Sequence, residues 1–599
     1  MMIKPHSFHI PVMGIGFTID SPLKVAQYGI DSVISLVDDI LIEKLRKIYS
    51  EKLEIPYKEI SNKVEDFRAK RITSYLNFIQ EETEKKFIAL KNVTEETTDA
   101  LKSYLEMLPD SSSLKKEFKI LTTNGFNVSK LKDWANKNLT MGSIDVNIMT
   151  KIDKANYIKK KQLPIEYNDA HAALRGYAQS NLSSSLVLSA GLNSRLYSYI
   201  SNFKDFFPDE KGFIKKKIIL KVSDYRSAFI QGKILAKKGL WVSEYRIESG
   251  LNCGGHAFAT DGFLLGPVLK EFKEKKEDLK NQIQLLVFKA LKLDGKIVPN
   301  IDLNLKITAQ GGVGTEEEQA FLLDEYNIDS VGWGSPFLLV PEATTVDNDT
   351  LEKLTNPQEK DLYLSNTSPL GVPFNTLKGN TKDVEKQVLI DKNRPGSSCP
   401  SKFVALNTEF KESGLCTASR EYQHLKIKEL ETLDISEEEK TKKYSQIIEK
   451  SCICVGLGTS ALLVNKADTA KIGTGVSVCP GPNMAYYSKI MTLKNITDHI
   501  YGRDNVLDEK ERPNMFIKEL NLYFSYLDNK LNELKTSMDV KQKRYLVKFK
   551  NNLQKGVAYY SELFQSQKNH FLDTKEAIIE ALEIKQKQLK LISLELEKL

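Results

Sequence analysis

Short apolar runs punctuated by glycine alternate with amphipathic stretches over most of the first 345 residues. The run IPVMGIGF (10–17) reads as a buried parallel strand ending in a loop. SPLKVAQYG follows as a short helix with serine at its cap and proline in its first turn, and IDSVISLVDD is the next strand. From about 40 to 138 the pattern turns to long charged helical segments such as DFRAKRITSYLNFIQEETEKKFIALKNV, with no strand between them, which predicts a helical insertion. Strand-like segments return at 142–152, 183–192, 216–224, 240–250, 303–312 and 328–339. Helices at NSRLYSYISNF, YRSAFIQGKILAKKG and TEEEQAFLLDEYN fall between them. Eight strands alternating with amphipathic helices predict an α/β fold, a parallel (β/α)8 TIM barrel; a doubly wound open sheet is the competing topology.

After 345 the regularity stops. Residues 346–500 are rich in Pro, Gly, Ser, Thr and Asn and hold five of the six cysteines, while 501–599 are charged, poor in Gly and Pro, and predicted to form two or three antiparallel helices. The expected organisation is a barrel over 1–345 carrying the 40–138 insertion, an irregular cysteine-containing extension over 346–500, and a helical region over 501–599.

Composition changes this picture little. The chain is 41% apolar and 28% charged, as globular proteins are. Its net charge of +7 is the difference between 86 basic and 79 acidic side chains, a mild excess that does not call for nucleic acid. No apolar run reaches the ~18 residues that span a bilayer. The first residues, MMIKPHSFHIPVMGIGF, lack an apolar signal core, so a cytoplasmic protein without a membrane partner is expected. Six cysteines in 599 residues do not make a disulfide scaffold.

Two stretches carry chemistry. In ITAQGGVGTEEEQ a strand runs through Gln310 into Gly311-Gly312 and then Gly314-Thr315 at a helix start; in DSVGWGS the next strand ends in Gly332-x-Gly334-Ser335. Glycine lets a backbone approach an anion, and helix N–H groups hold it. Two such loops after the seventh and eighth strands match the phosphate site of a (β/α)8 barrel, with plain tight turns as the alternative. In SGLNCGGHAF (249–258), Gly254 and Gly255 lead into His256 at the end of the sixth strand, where a barrel builds its active site. His256 is therefore an acid/base candidate, or else a structural histidine bonded to a loop carbonyl.

The segment AQGGVGT…DSVGWGSPFL resembles the flavin mononucleotide (FMN) phosphate loops of the nitronate monooxygenase family, and SGLNCGGHAF resembles that family's histidine motif. IPVMGIG and IDVNIM stand where the family has its first flavin-contacting strand and its Gly-Val-Asn. With SPLGVPFNTLKGNT (368–381), the chain looks most like the trans-acting enoyl reductases of polyunsaturated fatty acid and polyketide synthases. The resemblance implies that Met13 and Gly14 pack on the flavin, Asn147 bonds its pyrimidine edge, and Lys221 faces its N1–C2 region. It implies that Gly254 and Gly255 clear space for the ring, that Gln310, Gly311, Gly312, Gly332, Gly334 and Ser335 bind the cofactor, and that His256 acts on substrate. The family's glutamate is Asn252 here and its alanine is Cys253. Asn252 can orient a substrate oxygen but cannot be a carboxylate base. The implied activity is reduction of an activated C=C, as in an enoyl thioester, with NADPH as reductant; nitronate-type oxidation with O2 is the runner-up. An acyl-thioester substrate, a carrier protein and a second copy of the chain are the implied partners. A non-catalytic or RNA-associated barrel scaffold is the rival from outside enzymology.

Cys399, Cys416, Cys452, Cys454 and Cys479 each stand beside small residues or proline, which suits an iron–sulfur cluster or zinc. Their spacings of 16, 35, 1 and 24 intervening residues match no ferredoxin or zinc-finger pattern, and buried packing thiols are the alternative.

Overall fold

The computed structural model describes residues 4–94, 98–123, 127–251, 254–258, 260–508, 511–534 and 539–598. Eight strands form its centre: β1 (Phe8–Ile10), β2 (Asp31–Ser35), β3 (Ile144–Met149), β4 (Ser184–Ser189), β5 (Lys216–Val222), β6 (Val242–Glu248), β7 (Lys306–Gln310) and β8 (Ser330–Gly332). Each pairs in parallel with its sequence neighbours, and β8 returns to β1 through Phe8↔Val331 and His9↔Gly332, so the sheet closes into the predicted barrel rather than an open sheet. The strands are apolar and buried because each faces side chains on one surface and helices on the other.

Two strand boundaries differ from the sequence reading. β1 lies at 8–10 rather than 10–17, and Pro11, lacking an N–H, ends the ladder. The following residues form a loop over the barrel mouth. β8 spans only 330–332, and Gly334 and Pro336 turn the chain into a 3-10 helix, Ser335–Leu339.

The insertion is helical as expected, with helices Asp39–Lys52, Phe67–Lys91, Thr98–Met107, Ser113–Thr123 and Val128–Asn138. Its distal part has a small core of its own around Leu101, Tyr104, Leu108 and Ala135. The near part is tied to the barrel by Arg68, which donates to the Val37 and Asp169 carbonyls at 2.6 and 3.1 Å.

Residues 346–500 are more regular than their composition suggested. They contain the antiparallel hairpin β9 (Leu362–Ser365) and β10 (Phe374–Leu377) and several helices, among them Thr381–Asp391, Arg420–Glu431 and Ile453–Val464. The last, ICVGLGTSALLV, is buried from Ile453 to Leu462. A helix covered on all sides carries no polar stripe, so periodicity does not reveal it. Its Leu457 carbonyl accepts from Ile15 and Gly16 N–H at 3.3 and 2.8 Å, holding the loop after β1. The segment Glu437–Val464 is long and apolar enough by composition to cross a bilayer, and 67% of its apolar window is buried inside the protein.

Three helices, Met515–Leu534, Val540–Ser566 and Lys575–Lys598, end the chain. The first two meet the long helix Leu265–Leu293 that follows β6. There Gly266 N–H donates to Tyr560 Oη at 3.0 Å, and a Cβ on Gly266 would meet that tyrosine ring at 2.4 Å. Buried side chains of barrel, extension and terminal helices form one continuous core.

Candidate active site

The C-terminal ends of the strands open into a cavity, as barrel geometry requires. β3 contributes Asn147, β4 Ser189, β5 Lys221, β6 Glu248, β7 Gln310 and β8 Gly332. Met13, Gly14, Gly254, Gly255, His256, Gly311, Gly312, Gly334 and Ser335 line the same cavity, so the described sequence-predicted cofactor and acid/base residues converge on one place. Asn252 lies outside the described residues.

The cavity has an orphan. Asn147 Oδ1 is buried and has no hydrogen-bond partner. A buried amide oxygen costs free energy unless a donor reaches it. A flavin ring offers such a donor in its pyrimidine N–H, so this wall fits the ring edge that the motifs implied.

The glycine loop after β7 is held in a way the sequence did not reveal. Gly311 and Gly312 adopt left-handed φ values of 107° and 86°, which side chains disfavour. Residues that follow the barrel in the chain then take up the loop's carbonyls. Asn483 Nδ2 donates to Gly312 and Val313 oxygens at 2.6 and 2.9 Å, Arg512 to Gly312 at 2.9 Å, and Tyr487 Oη to Gly314 at 3.1 Å. His499 Nε2 lies 2.9 Å from the same Gly314 oxygen. With their negative ends turned to these donors, the carbonyls are kept from repelling an anion. Gly314 N–H is already taken by Glu318 at 2.8 Å, and Arg512 neutralises Glu318 in a buried bidentate pair at 2.7 and 2.8 Å. On the second loop, Ser335 Oγ accepts from Gly481 N–H at 2.7 Å. Gly481, Pro482 and Asn483 thus form the wall over the two glycine loops.

His256 sits between the motif and the extension. Its backbone bridges to Phe374 of β10, Ala257 N–H donates to the Pro373 carbonyl at 2.9 Å, and Asn375 N–H donates to the Gly255 carbonyl at 2.8 Å. The ring packs on Phe374, centroids 5.0 Å apart, and its Nε2 is 2.7 Å from Ser368 Oγ. Burial, and then the nearby Lys221 ammonium, push the imidazole down to about 4, so the ring is neutral at neutral pH. Gly254 cannot carry a side chain here, since a Cβ would lie 2.7 Å from the Cys479 carbonyl oxygen.

Lys221 lines the cavity in an ion pair with Glu248, whose other oxygen accepts from Gln310 Nε2 at 2.9 Å. The pair is neutral overall, so the charge expected from Lys221 is matched within the protein. Glu248, Ser368, Asn483 and Arg512 were not singled out by sequence. Their signal was faint: SPLGVPF marks the segment of Ser368, but nothing local marks its partner.

The five cysteines do not assemble as one ligand set. Cys479 and Cys454 stand on the cavity wall. Cys399, Cys416 and Cys452 do not line it. Among the described residues, no group of three or more His, Cys, Asp or Glu side chains is arranged to hold a metal ion. The candidate iron–sulfur or zinc site at these cysteines is therefore not assembled among the described residues.

No protein-family model and no curated protein sequence matches the chain. Solved structures do. The enoyl reductase domain of MlnA from the macrolactin biosynthesis cluster of Bacillus amyloliquefaciens is 15% identical, with 68% of this chain and 89% of that chain covered and a TM-score of 0.32. FabK from Thermotoga maritima is 14% identical over 66% and 83%, TM-score 0.29. Nitroalkane oxidase from Streptomyces ansochromogenes is 10% identical over 63% and 84%, TM-score 0.27. An enoyl reductase domain and a nitroalkane oxidase thus stand among the proteins this chain is similar to.

Proposed function

We propose that this chain is an FMN-dependent oxidoreductase that reduces an activated C=C, of the enoyl-thioester kind, with NADPH as the reductant. The observation that carries the reading is the buried, partnerless Asn147 Oδ1 in a cavity ringed by the glycines of both phosphate-type loops.

Bound FMN would supply hydride transfer. Asn147 would accept from the ring edge, and the glycine loops would take the phosphate on backbone N–H groups. The Lys221–Glu248–Gln310 chain would orient polar groups at the ring without leaving a buried net charge. His256, neutral and bonded to Ser368, would polarise the thioester carbonyl as a hydrogen-bond donor, with Ser368 fixing the ring plane. The extension would exclude water: Phe374, Leu457 and Pro482 close the mouth with apolar surface.

The test is the visible spectrum of the purified protein with added FMN, followed by anaerobic NADPH. A two-banded flavin spectrum that bleaches supports the reading. A protein that takes up no FMN defeats it, and a flavoprotein that NADPH leaves oxidised defeats the reductant. Turnover of a short 2-enoyl thioester then tests the substrate class.

A further inference from the structure

The terminal helix Val540–Ser566 carries one-sided charge. It holds Lys541, Lys543, Arg544, Lys548, Lys550 and Lys555 before its first acidic residue, Glu562. Four of these cations, Lys543, Arg544, Lys548 and Lys555, line a groove of about 560 Å³. Val540, 67% exposed, and Val547 lie in the same groove. Steps of three and four residues set all six on one face of the helix. Among the described residues no acidic side chain lines the groove, and of the four cations only Lys548 is in an ion pair, with Asp261. Asp539, just before the helix, is engaged in capping it, accepting from Gln542 N–H at 2.8 Å. Lys543, Arg544 and Lys555 therefore present charge that no described carboxylate answers.

The rest of the helix is engaged inside the protein. Leu546, Phe549, Leu553 and Val557 are buried. Tyr545 Oη is 3.1 Å from Tyr526 Oη, and its ring packs on Phe549 with centroids 6.0 Å apart. No aromatic ring of the helix lines the groove. The basic face also reaches the barrel mouth. Asn552 Nδ2, in the groove, donates to the Asp261 carbonyl at 2.9 Å, and a Cβ on Gly262 would lie 2.4 Å from the Phe549 carbonyl oxygen. Phe258, three residues before Asp261, lines the cavity with His256. Three residues of chain span at most about 11 Å.

We propose that this face docks an acidic, amphipathic helix of a protein partner beside the mouth of the candidate active site. The cations call for a polyanion, and the two valines select among polyanions. Val540 and Val547 are two helical turns apart, so they meet the apolar stripe of a helix laid along the groove, while its carboxylates meet Lys543, Arg544 and Lys555. From 540 to 555 the face runs about 22 Å at 1.5 Å per residue, room for about four turns of a partner helix. Single-stranded nucleic acid binds by stacking its bases on exposed rings, and this groove offers none. A membrane surface takes up a broad apolar face, and two valines do not make one.

The experiment uses the full chain and four probes. One is a synthetic helical peptide of about 15 residues with a leucine stripe flanked by glutamates. The others are its scrambled isomer of equal charge, an oligouridine of similar length, and phosphatidylserine vesicles. Fluorescence anisotropy reads the first three and co-sedimentation the last. The helical peptide is expected to bind at least about tenfold more tightly than the scrambled one, and more weakly as salt rises. Lys543→Glu with Arg544→Glu is expected to weaken it about tenfold, and Val540→Ser with Val547→Ser to do the same at unchanged charge. Lys116→Glu with Lys119→Glu, on the insertion helix Ser113–Thr123, changes net charge equally and is expected to shift binding less than about twofold. A helical peptide that does not bind, or a scrambled one that binds as well, would overturn the proposal. So would tighter binding of oligouridine or vesicles, or a control pair that weakens the peptide as much as the groove pair. A dimer of the chain that Lys543→Glu with Arg544→Glu dissociates in sedimentation would also overturn it, assigning the face to a second copy. The two peptides are compared on the unsubstituted chain, so a variant that misfolds does not spoil the test. None of these readouts depends on FMN, so failure here leaves the proposed reaction standing.

Discussion

His256 Nε2 and Ser368 Oγ are 2.7 Å apart, although 112 residues separate them in the chain. The bond brings the extension to the barrel's histidine and fixes the ring plane. Ser368→Ala removes that bond, and the weaker one that Ser368 Oγ accepts from Leu370 N–H at 3.2 Å, while leaving the imidazole. Turnover of a 2-enoyl thioester is expected to fall about tenfold, the value of one hydrogen bond. His256→Ala is expected to cost about 10²–10⁴-fold. Steady-state kinetics check both; equal rates in all three proteins would remove His256 from the chemistry.

Asn147→Leu tests the orphan oxygen. It removes the buried acceptor, so the flavin-free protein is expected to melt no earlier than the parent. FMN affinity is expected to fall about tenfold, or ~1.4 kcal/mol. Titration followed by flavin fluorescence measures the second, and calorimetry the first.

Arg512 and Glu318 test the clamp on the glycine loop. Their side chains are 6% and 2% exposed, so Arg512→Ala leaves a buried carboxylate alone, at a cost of about 3–5 kcal/mol. FMN affinity is expected to drop as well, because Arg512 also holds the Gly312 carbonyl. Adding Glu318→Gln removes the stranded charge and is expected to restore stability in part but not FMN affinity. Urea unfolding and FMN titration separate the two effects.

Glu519 gives a pH-dependent signature. Its carboxyl is buried, accepts from Leu265 N–H at 3.1 Å, and is pushed up to about 7 by burial. A raised carboxyl binds its proton more tightly in the folded chain than in the unfolded one. Its stabilising effect is therefore full below about 4.5 and is lost as pH rises to about 7. Glu519→Gln lacks this loss. Relative to the parent, the variant is expected to gain about 3 kcal/mol between pH 4.5 and pH 8, at roughly 1.4 kcal/mol for each pH unit that separates the folded carboxyl from the unfolded one. Urea unfolding at the two pH values checks the sign; a variant that gains nothing would mean that Glu519 ionises normally.

By itself the sequence determined the barrel and the chemistry of its rim. Strand runs such as IDVNIM and KITAQ are local, and glycines at 311 and 312 are needed by the backbone where they stand, so both can be read from neighbours in the chain. The insertion was legible for the same reason, as helical periodicity is a property of a dozen adjacent residues. What covers the site was not. Ser368 meets His256, Asn483 and Arg512 meet Gly312, and Glu248 pairs with Lys221 only once separate segments converge. The helix Ile453–Val464 leaves no polar face to betray it, and the cysteines looked like one ligand set because they are close in sequence. Tertiary structure alone divided them, setting Cys454 and Cys479 at the cavity wall and leaving Cys399, Cys416 and Cys452 away from it. A hydrogen bond reaches about 3 Å, and only the folded chain decides which distant groups come within that distance.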